Sequence, residues 1–245
     1  MRGGLLLLSL CVVIGVPARA SAGRTYYGWL YGTEVMPERS VELASWIAEQ
    51  NNVSAEDHSS ETRWWLGPLI GITDQLELAL PVEIAWDRSD VEQPRTNFDR
   101  YGAELRYRLV SQDPVDAPAF VPLVRVAIER SVVDRGLWIP EADLVSSYET
   151  GRLHALVDLG IYGEITSNDH HFEFRPGAGI SVLAVGDLRF GAEIHAELTL
   201  DQGGNWAVAG PNMAWSHGRT WVSAMYGIGF YGIDDAPRIQ WGIAF

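Results

Sequence analysis

Hydrophobic and polar positions alternate along most of this chain. In "LRFGAEIHAELTL", residues 188–200, the residues Leu188, Phe190, Ala192, Ile194, Ala196, Leu198 and Leu200 share one parity, and Arg189, Gly191, Glu193, His195, Glu197 and Thr199 share the other. Successive side chains of a strand point to opposite faces, so the segment predicts a strand with one apolar and one charged face. Taken alone, such a strand fits a soluble sandwich, with core and bulk water on its two sides. It fits an outer-membrane barrel equally well, with lipid outside and a charged lumen within.

The same pattern recurs. "QLELALPVEIAW" sets Leu76, Leu78, Leu80, Val82, Ile84 and Trp86 against Gln75, Glu77, Ala79, Pro81, Glu83 and Ala85; "RYGAELRYRL" sets Tyr101, Ala103, Leu105, Tyr107 and Leu109 against Arg100, Gly102, Glu104, Arg106 and Arg108. Period-two segments bounded by turn residues predict twelve strands: 39–49, 61–72, 75–87, 98–111, 118–132, 144–150, 153–165, 171–184, 187–200, 206–216, 219–231 and 237–245. Most approach the about 9–11 residues that a tilted strand needs to cross a bilayer. Short links at Thr73-Asp74, Gly151-Arg152, Val185-Gly186 and His217-Gly218 alternate with longer ones at 50–60, 88–97, 133–143, 166–170, 201–205 and 232–236. The link from Gln112 to Ala117 is the exception, long where a short one is due. Short periplasmic turns and longer external loops are the habit of outer-membrane barrels, which places both chain ends on the periplasmic side.

The first residues, "MRGGLLLLSLCVVIGVPARASAG", read as a secretory signal: Arg2, an apolar run from Leu5 to Val16, and an A-x-A cleavage motif. The expected division is a signal peptide over 1–22, a periplasmic lead or plug over 23–38, and the barrel over 39–245. For "TYYGWLYGTEVM", residues 25–36, a periplasmic lead, an inserted plug and an extra strand all fit, and the lead keeps the strand count even. Cys11 is the single cysteine, and with bulky Leu10 before it so early in the chain it is not a lipoprotein site. The mature chain therefore has no thiol chemistry and no disulfide.

Composition narrows the choice. The formal net charge is -14, and all 18 basic residues are Arg. This argues against nucleic acid as a partner. No later run reaches the roughly 18 apolar residues of a membrane-spanning helix, so membrane residence requires strands. Trp46, Trp64, Trp65, Trp86, Trp206, Trp215, Trp221 and Trp241 fall near strand ends, as in an aromatic girdle, although Trp46 and Trp65 lie on the polar parity. Acidic links such as "EQNNVSAEDHSSE" and "GIDDAP" read as solvated loops, with a divalent-cation site at the lipopolysaccharide surface as the sharper alternative.

The final "PRIQWGIAF" puts Ile239, Trp241, Ile243 and Phe245 on one face. It resembles the C-terminal signature of Gram-negative outer-membrane proteins, which implies recognition by the barrel-assembly machinery through the strand ending at Phe245. The expected fold is thus an all-β, transmembrane antiparallel barrel of about twelve strands, with outer-membrane lipid and lipopolysaccharide as neighbours. "EVMPERSVELASWIAEQ" followed by "GITDQLELALPVEIAW", with its hairpin at Gly71, Ile72, Thr73, Asp74, Leu76 and Leu78, resembles the opening of the outer-membrane proteins grouped with the MetA pathway of phenol degradation. The resemblance implies a porin-like or transport role and assigns no catalytic residue.

In such a barrel the polar parity fills the lumen with both signs of charge: Glu77, Glu83, Arg100, Glu104, Arg106, Arg108, Arg125, Glu129, His154, Asp158, Arg189, Glu193, His195 and Glu197. Confined charges must meet water or pair across strands, which leaves open a wet selective pore or a salt-bridged interior. Enzyme motifs are sparse. His58-Ser59-Ser60 has the His-x-Ser spacing of outer-membrane lipid hydrolases but lies in an acidic loop, and Asp169-His170-His171 lacks the second acidic pair of outer-membrane aspartyl-type proteases. No Gly-x-Ser-x-Gly elbow, phosphate loop or HExxH occurs, so the sequence points to no enzyme, metal or cofactor. The expected function is a passive channel for small hydrophobic or anionic solutes. A lipid hydrolase and a closed structural barrel are the alternatives.

Overall fold

A computed structural model describes residues 25–52, 59–89, 93–112, 118–201 and 204–245. The signal segment over 1–22, His58 and residues 113–117 lie outside the described residues. Thirteen strand segments succeed one another: β1 (Val41–Asn51), β2 (Ser60–Gly71), β3 (Leu76–Ala79), β4 (Val82–Arg88), β5 (Arg95–Arg108), β6 (Phe120–Ser131), β7 (Trp138–Thr150), β8 (Leu153–Ile165), β9 (His170–Val185), β10 (Leu188–Thr199), β11 (Trp206–His217), β12 (Thr220–Tyr231) and β13 (Asp235–Ala244). All pairings are antiparallel. Because β3 and β4 both pair with β2 on one side and β5 on the other, they are two arms of one strand. β1 pairs with both β2 and β13, so twelve staves close into a barrel without an open edge.

The interruption between β3 and β4 falls on Leu80-Pro81, where proline removes a ladder donor. The gap is bridged rather than open: the Leu80 N–H donates to the Pro68 carbonyl at 3.2 Å and the Gly102 N–H donates to the Pro81 carbonyl at 3.1 Å. At the seam, the Phe245 N–H donates to the Val41 carbonyl at 2.8 Å. The barrel therefore begins and ends at its short-turn mouth.

Three hairpins at that mouth share one device. Gly151-Arg152, Gly186-Asp187 and Gly218-Arg219 are two-residue turns whose first residue has φ of 60°, 56° and 59°. A Cβ at any of these glycines would meet open space, so the requirement is the backbone angle and not packing. Two of these turns sit one residue later than the alternation suggested, because Val185 and His217 still belong to the ladder. The larger difference is β7, which starts at Trp138 and not at 144. Ile139, Glu141 and Asp143 continue its inward parity, and the preceding link shrinks to 132–137.

The faces divide as alternation requires. Phe190 and Ile194 are 51% and 44% exposed on the outer surface, and Leu105, Tyr107, Val126, Ile128, Leu144, Val157 and Ile243 share that surface. A continuous band of large apolar side chains on the outside is the reverse of a water-soluble surface. The tryptophans split between the faces. Trp65, Trp206 and Trp221 are buried and Trp46 packs against them, so these four belong to the interior and not to a girdle. Trp215 is exposed on the outside.

Candidate functional site

The fourteen charged or imidazole side chains named for the lumen face the interior. Glu77, Glu83, Arg100, Glu104, Arg106, Arg108, Arg125, Glu129, His154, Asp158, Arg189, Glu193 and His195 are buried, and Glu197 is partly so. Their placement follows from strand register: each lies on the parity opposite the outward leucines, valines and isoleucines.

Most of them fall into three ion-paired groups, while Arg108 and Arg189 pair separately with Glu34 and Glu149. Arg125 is a hub on β6, with its guanidinium 2.8 Å from Glu104, 2.7 Å from Glu141 and 2.6 Å from Asp143. Arg106 pairs with the same Glu104. Higher in the barrel, Glu83 lies 3.0 Å from Arg63 and 3.2 Å from Arg100, and Arg100 reaches Glu129 at 3.7 Å. Arg175 joins Glu173 at 2.7 Å and Glu197 at 3.6 Å, beside His195. Buried charges are tolerable when several opposite charges share one fork, which a guanidinium allows and an ammonium does not. The all-Arg composition thus serves the interior.

Residues 25–36 run inside the ring. The segment is anchored mainly through its backbone. Glu193 accepts the N–H of Gly28 at 2.6 Å and of Trp29 at 3.1 Å; Asp158 accepts that of Tyr31 at 2.9 Å; Glu77 accepts that of Met36 at 2.8 Å. Gln240 and Ser223 donate to the Tyr27 carbonyl at 2.7 and 2.8 Å. Thus three buried carboxylates satisfy amides that no strand pairs, as buried backbone demands. These contacts place residues 25–36 within the barrel, as an inserted plug rather than a periplasmic lead or an extra strand.

The plug's side chains complete the packing. Tyr27 Oη lies 3.0 Å from His154 Nδ1 and 3.1 Å from the His154 carbonyl. Tyr31 sits under the Arg125 guanidinium, 4.0 Å from it, and Tyr26 under that of Arg189, at 4.1 Å. Gly177 and Gly179 on β9 leave room for the plug, since a Cβ at either would collide with Leu30 or Tyr27.

A row of flat groups crosses the lumen at the plug's turn. The Trp29 ring stacks on His195 at 5.0 Å and meets Trp206 edge-on at 5.5 Å. Arg238 follows, 5.0 Å from the Trp29 centroid and 4.2 Å from that of Trp46, and Trp46 stacks on Trp65 at 6.4 Å. Around Tyr31, Trp46 and Glu104 the free space is about 30 Å³, enough for little more than water. At the short-turn mouth, about 220 Å³ opens beside Tyr26, Thr33, Arg108 and His154. A further 320 Å³ or so opens at the long-loop mouth beside Ser60, Asp87 and Arg95.

Several of these residues escaped sequence reasoning. Arg238 occupies the polar parity of the last strand, and Glu141 and Asp143 fall in what reads as a link, so extending the alternation would have found them. Trp29 and Tyr31 carry no periodic signal. His170 and His171 open β9 and do not lie in a loop, and His171 is 2.7 Å from Asp201 and 3.2 Å from Glu173, in an ion-paired cluster at the rim of the barrel.

No family model and no curated protein matches this chain. Solved structures do. An outer membrane channel from Pseudomonas putida F1 superposes with a TM-score of 0.61 at 10% identity, covering 87% of this chain and 98% of that one. The KdgM porin gives 0.51 at 11% identity over 83% of this chain and 99% of the other, and the NanC porin 0.51 at 11% over 84% and 98%. The fold is that of outer-membrane β-barrels. At this level of identity the likeness extends to architecture and not to residues.

Proposed function

We propose that this chain is an outer-membrane channel for a small solute with an apolar or anionic part, closed at rest by its own residues 25–36. The observation that carries the reading is the mode of anchoring. The plug adds no strand to the sheet; it hangs on Glu193, Asp158 and Glu77, each of which gives a side-chain acceptor to a backbone N–H. Such contacts break without disturbing the ring of staves, so the interior can change while the barrel stays closed.

Several features support this reading: the apolar outer band, a charged interior, superposition on channels and porins, and the resemblance of the first hairpin to the MetA-pathway outer-membrane group. With it come an outer-membrane location, short turns on the periplasmic side, lipopolysaccharide as a neighbour, and insertion through the strand ending at Phe245. A transport role needs no catalytic residue.

The test is planar-bilayer recording of the purified full chain and of a Glu193→Ala/Asp158→Ala variant. Small, infrequent currents from the wild type and larger, longer openings from the variant are expected. If neither conducts under any salt or voltage, the barrel is a closed structural element and the channel reading falls.

A further inference from the structure

Among the described inward-facing arginines, Arg63, Arg100, Arg106, Arg108, Arg125, Arg175 and Arg189 each have a carboxylate within ion-pair distance. Arg238 is 8% exposed and has none: its contacts are the faces of Trp29 and Trp46, and its Nε meets no hydrogen-bond acceptor. An unpaired buried guanidinium is costly and marks a site where an anion is due.

Beside it the plug displays what the niche accepts. The Trp29 indole stacks on His195, meets Trp206 edge-on, and donates its Nε1–H to the Ala236 carbonyl at 2.9 Å. Its backbone nitrogen, two bonds from Cβ, donates to Glu193 at 3.1 Å. A flat aromatic group and a nitrogen donor are thus held at fixed separation, and the guanidinium next to them has no carboxylate within ion-pair distance. Trp29 lacks the two charged groups of a free α-amino acid: its nitrogen is a single amide N–H where the free molecule carries an ammonium, and its carboxyl carbon is used in the peptide bond to Leu30.

We propose that this niche binds a free aromatic α-amino acid, which exchanges with Trp29. Its ring takes the place between His195 and Arg238, its ammonium replaces the plug's N–H donors on Glu193, and its carboxylate pairs with Arg238. The ligand reproduces the contacts of the plug and adds the one the plug lacks, so its binding favours the displaced plug by the differential affinity that any gating ligand requires. The proposal rests on the channel reading and names its solute class.

Equilibrium dialysis with radiolabelled L-tryptophan, tryptamine and indole-3-propionate tests it on full-length protein carrying Trp29→Ala, which removes the competing ring and leaves only the plug's backbone N–H groups to be displaced from Glu193. A heat-dependent shift in gel mobility certifies the folded barrel, and Trp29→Val serves if the alanine variant does not fold. L-Tryptophan is expected to bind. Adding Arg238→Met should weaken L-tryptophan by about tenfold or more and tryptamine much less, since tryptamine loses only the contact of its ring with the guanidinium and not a charge-assisted pair with a carboxylate. Adding Glu193→Gln should weaken tryptophan and tryptamine but not indole-3-propionate. Absence of L-tryptophan binding at about 10 mM, or binding indifferent to Arg238→Met, overturns the proposal. Conductance of the same Trp29 variants separates the two readings: currents without binding overturn the niche alone, and binding without currents overturns the channel alone.

Discussion

The hydroxyls of Thr33 on the plug and Ser147 on β7 lie 2.7 Å apart, both buried. This pair joins the returning limb of the plug to the barrel wall near the short-turn mouth, and it has no role in the ion-paired groups. It is therefore the place to fasten the plug without disturbing charge. In a Cys11→Ser background, Thr33→Cys with Ser147→Cys should form a disulfide under mild oxidation, because the two side chains already meet through their terminal atoms, where the sulfurs would stand. Oxidised protein is expected to show the lower conductance and reduced protein to recover it. Equal currents in both states would mean that this limb does not move.

Removing the hub of the ionic interior should be severe. Arg125→Met leaves Glu104, Glu141 and Asp143 facing one another without their shared cation, and loss of one partner from a buried ionic cluster costs about 3–5 kcal/mol. Urea unfolding in lipid vesicles measures it. Arg125→Lys keeps the charge but not the fork, and should fall between the variant and the wild type.

The outward face gives the opposite kind of test. Ile194, 44% exposed on β10, adjoins the buried Glu193 in sequence and points the other way. Ile194→Arg should hinder barrel folding by about 2–4 kcal/mol where the position lies near the bilayer midplane. The folded fraction on a heat-modifiability gel reads this directly. Tolerance equal to that of a neutral Ile194→Val change would contradict the lipid-facing assignment.

At the turns, the backbone sets the expectation. Gly186 has φ of 56° and open space where a Cβ would go, so Gly186→Ala should cost about 1–2 kcal/mol through conformation alone. Gly186→Asn, whose side chain tolerates the left-handed region, should cost less. A denaturation midpoint unchanged by alanine would refute the strain account.

How far the sequence carried depends on the kind of regularity each part possesses. β8 matches its expected span of 153–165 residue for residue, because strict alternation fixes both its face and its register. The start of β7 was lost because Pro140, Glu141 and Asp143 have a loop's composition, although they keep a strand's parity. Trp46 and Trp65 signalled their position by lying with Glu42 and Arg63. Their partner Trp29 gave no such signal, since the plug follows no period and its contacts come from β3, β8, β10, β12 and β13, separated by as many as 213 residues. Alternation tells each strand which way to face; it is silent about a segment held by several strands at once.

The plug precedes β1, yet it rests on Ser223, Gln240 and Ala236 near the other end of the chain. Its docking site is complete only when the last strand has taken its place beside the first. Residues 25–36, which precede every strand, therefore find their complete seat only once the ring has shut, and a filled interior reports that it has shut correctly. A barrel caught half-assembled, with β13 still unpaired, would have nowhere to seat Trp29. The interior thus doubles as a record of finished assembly.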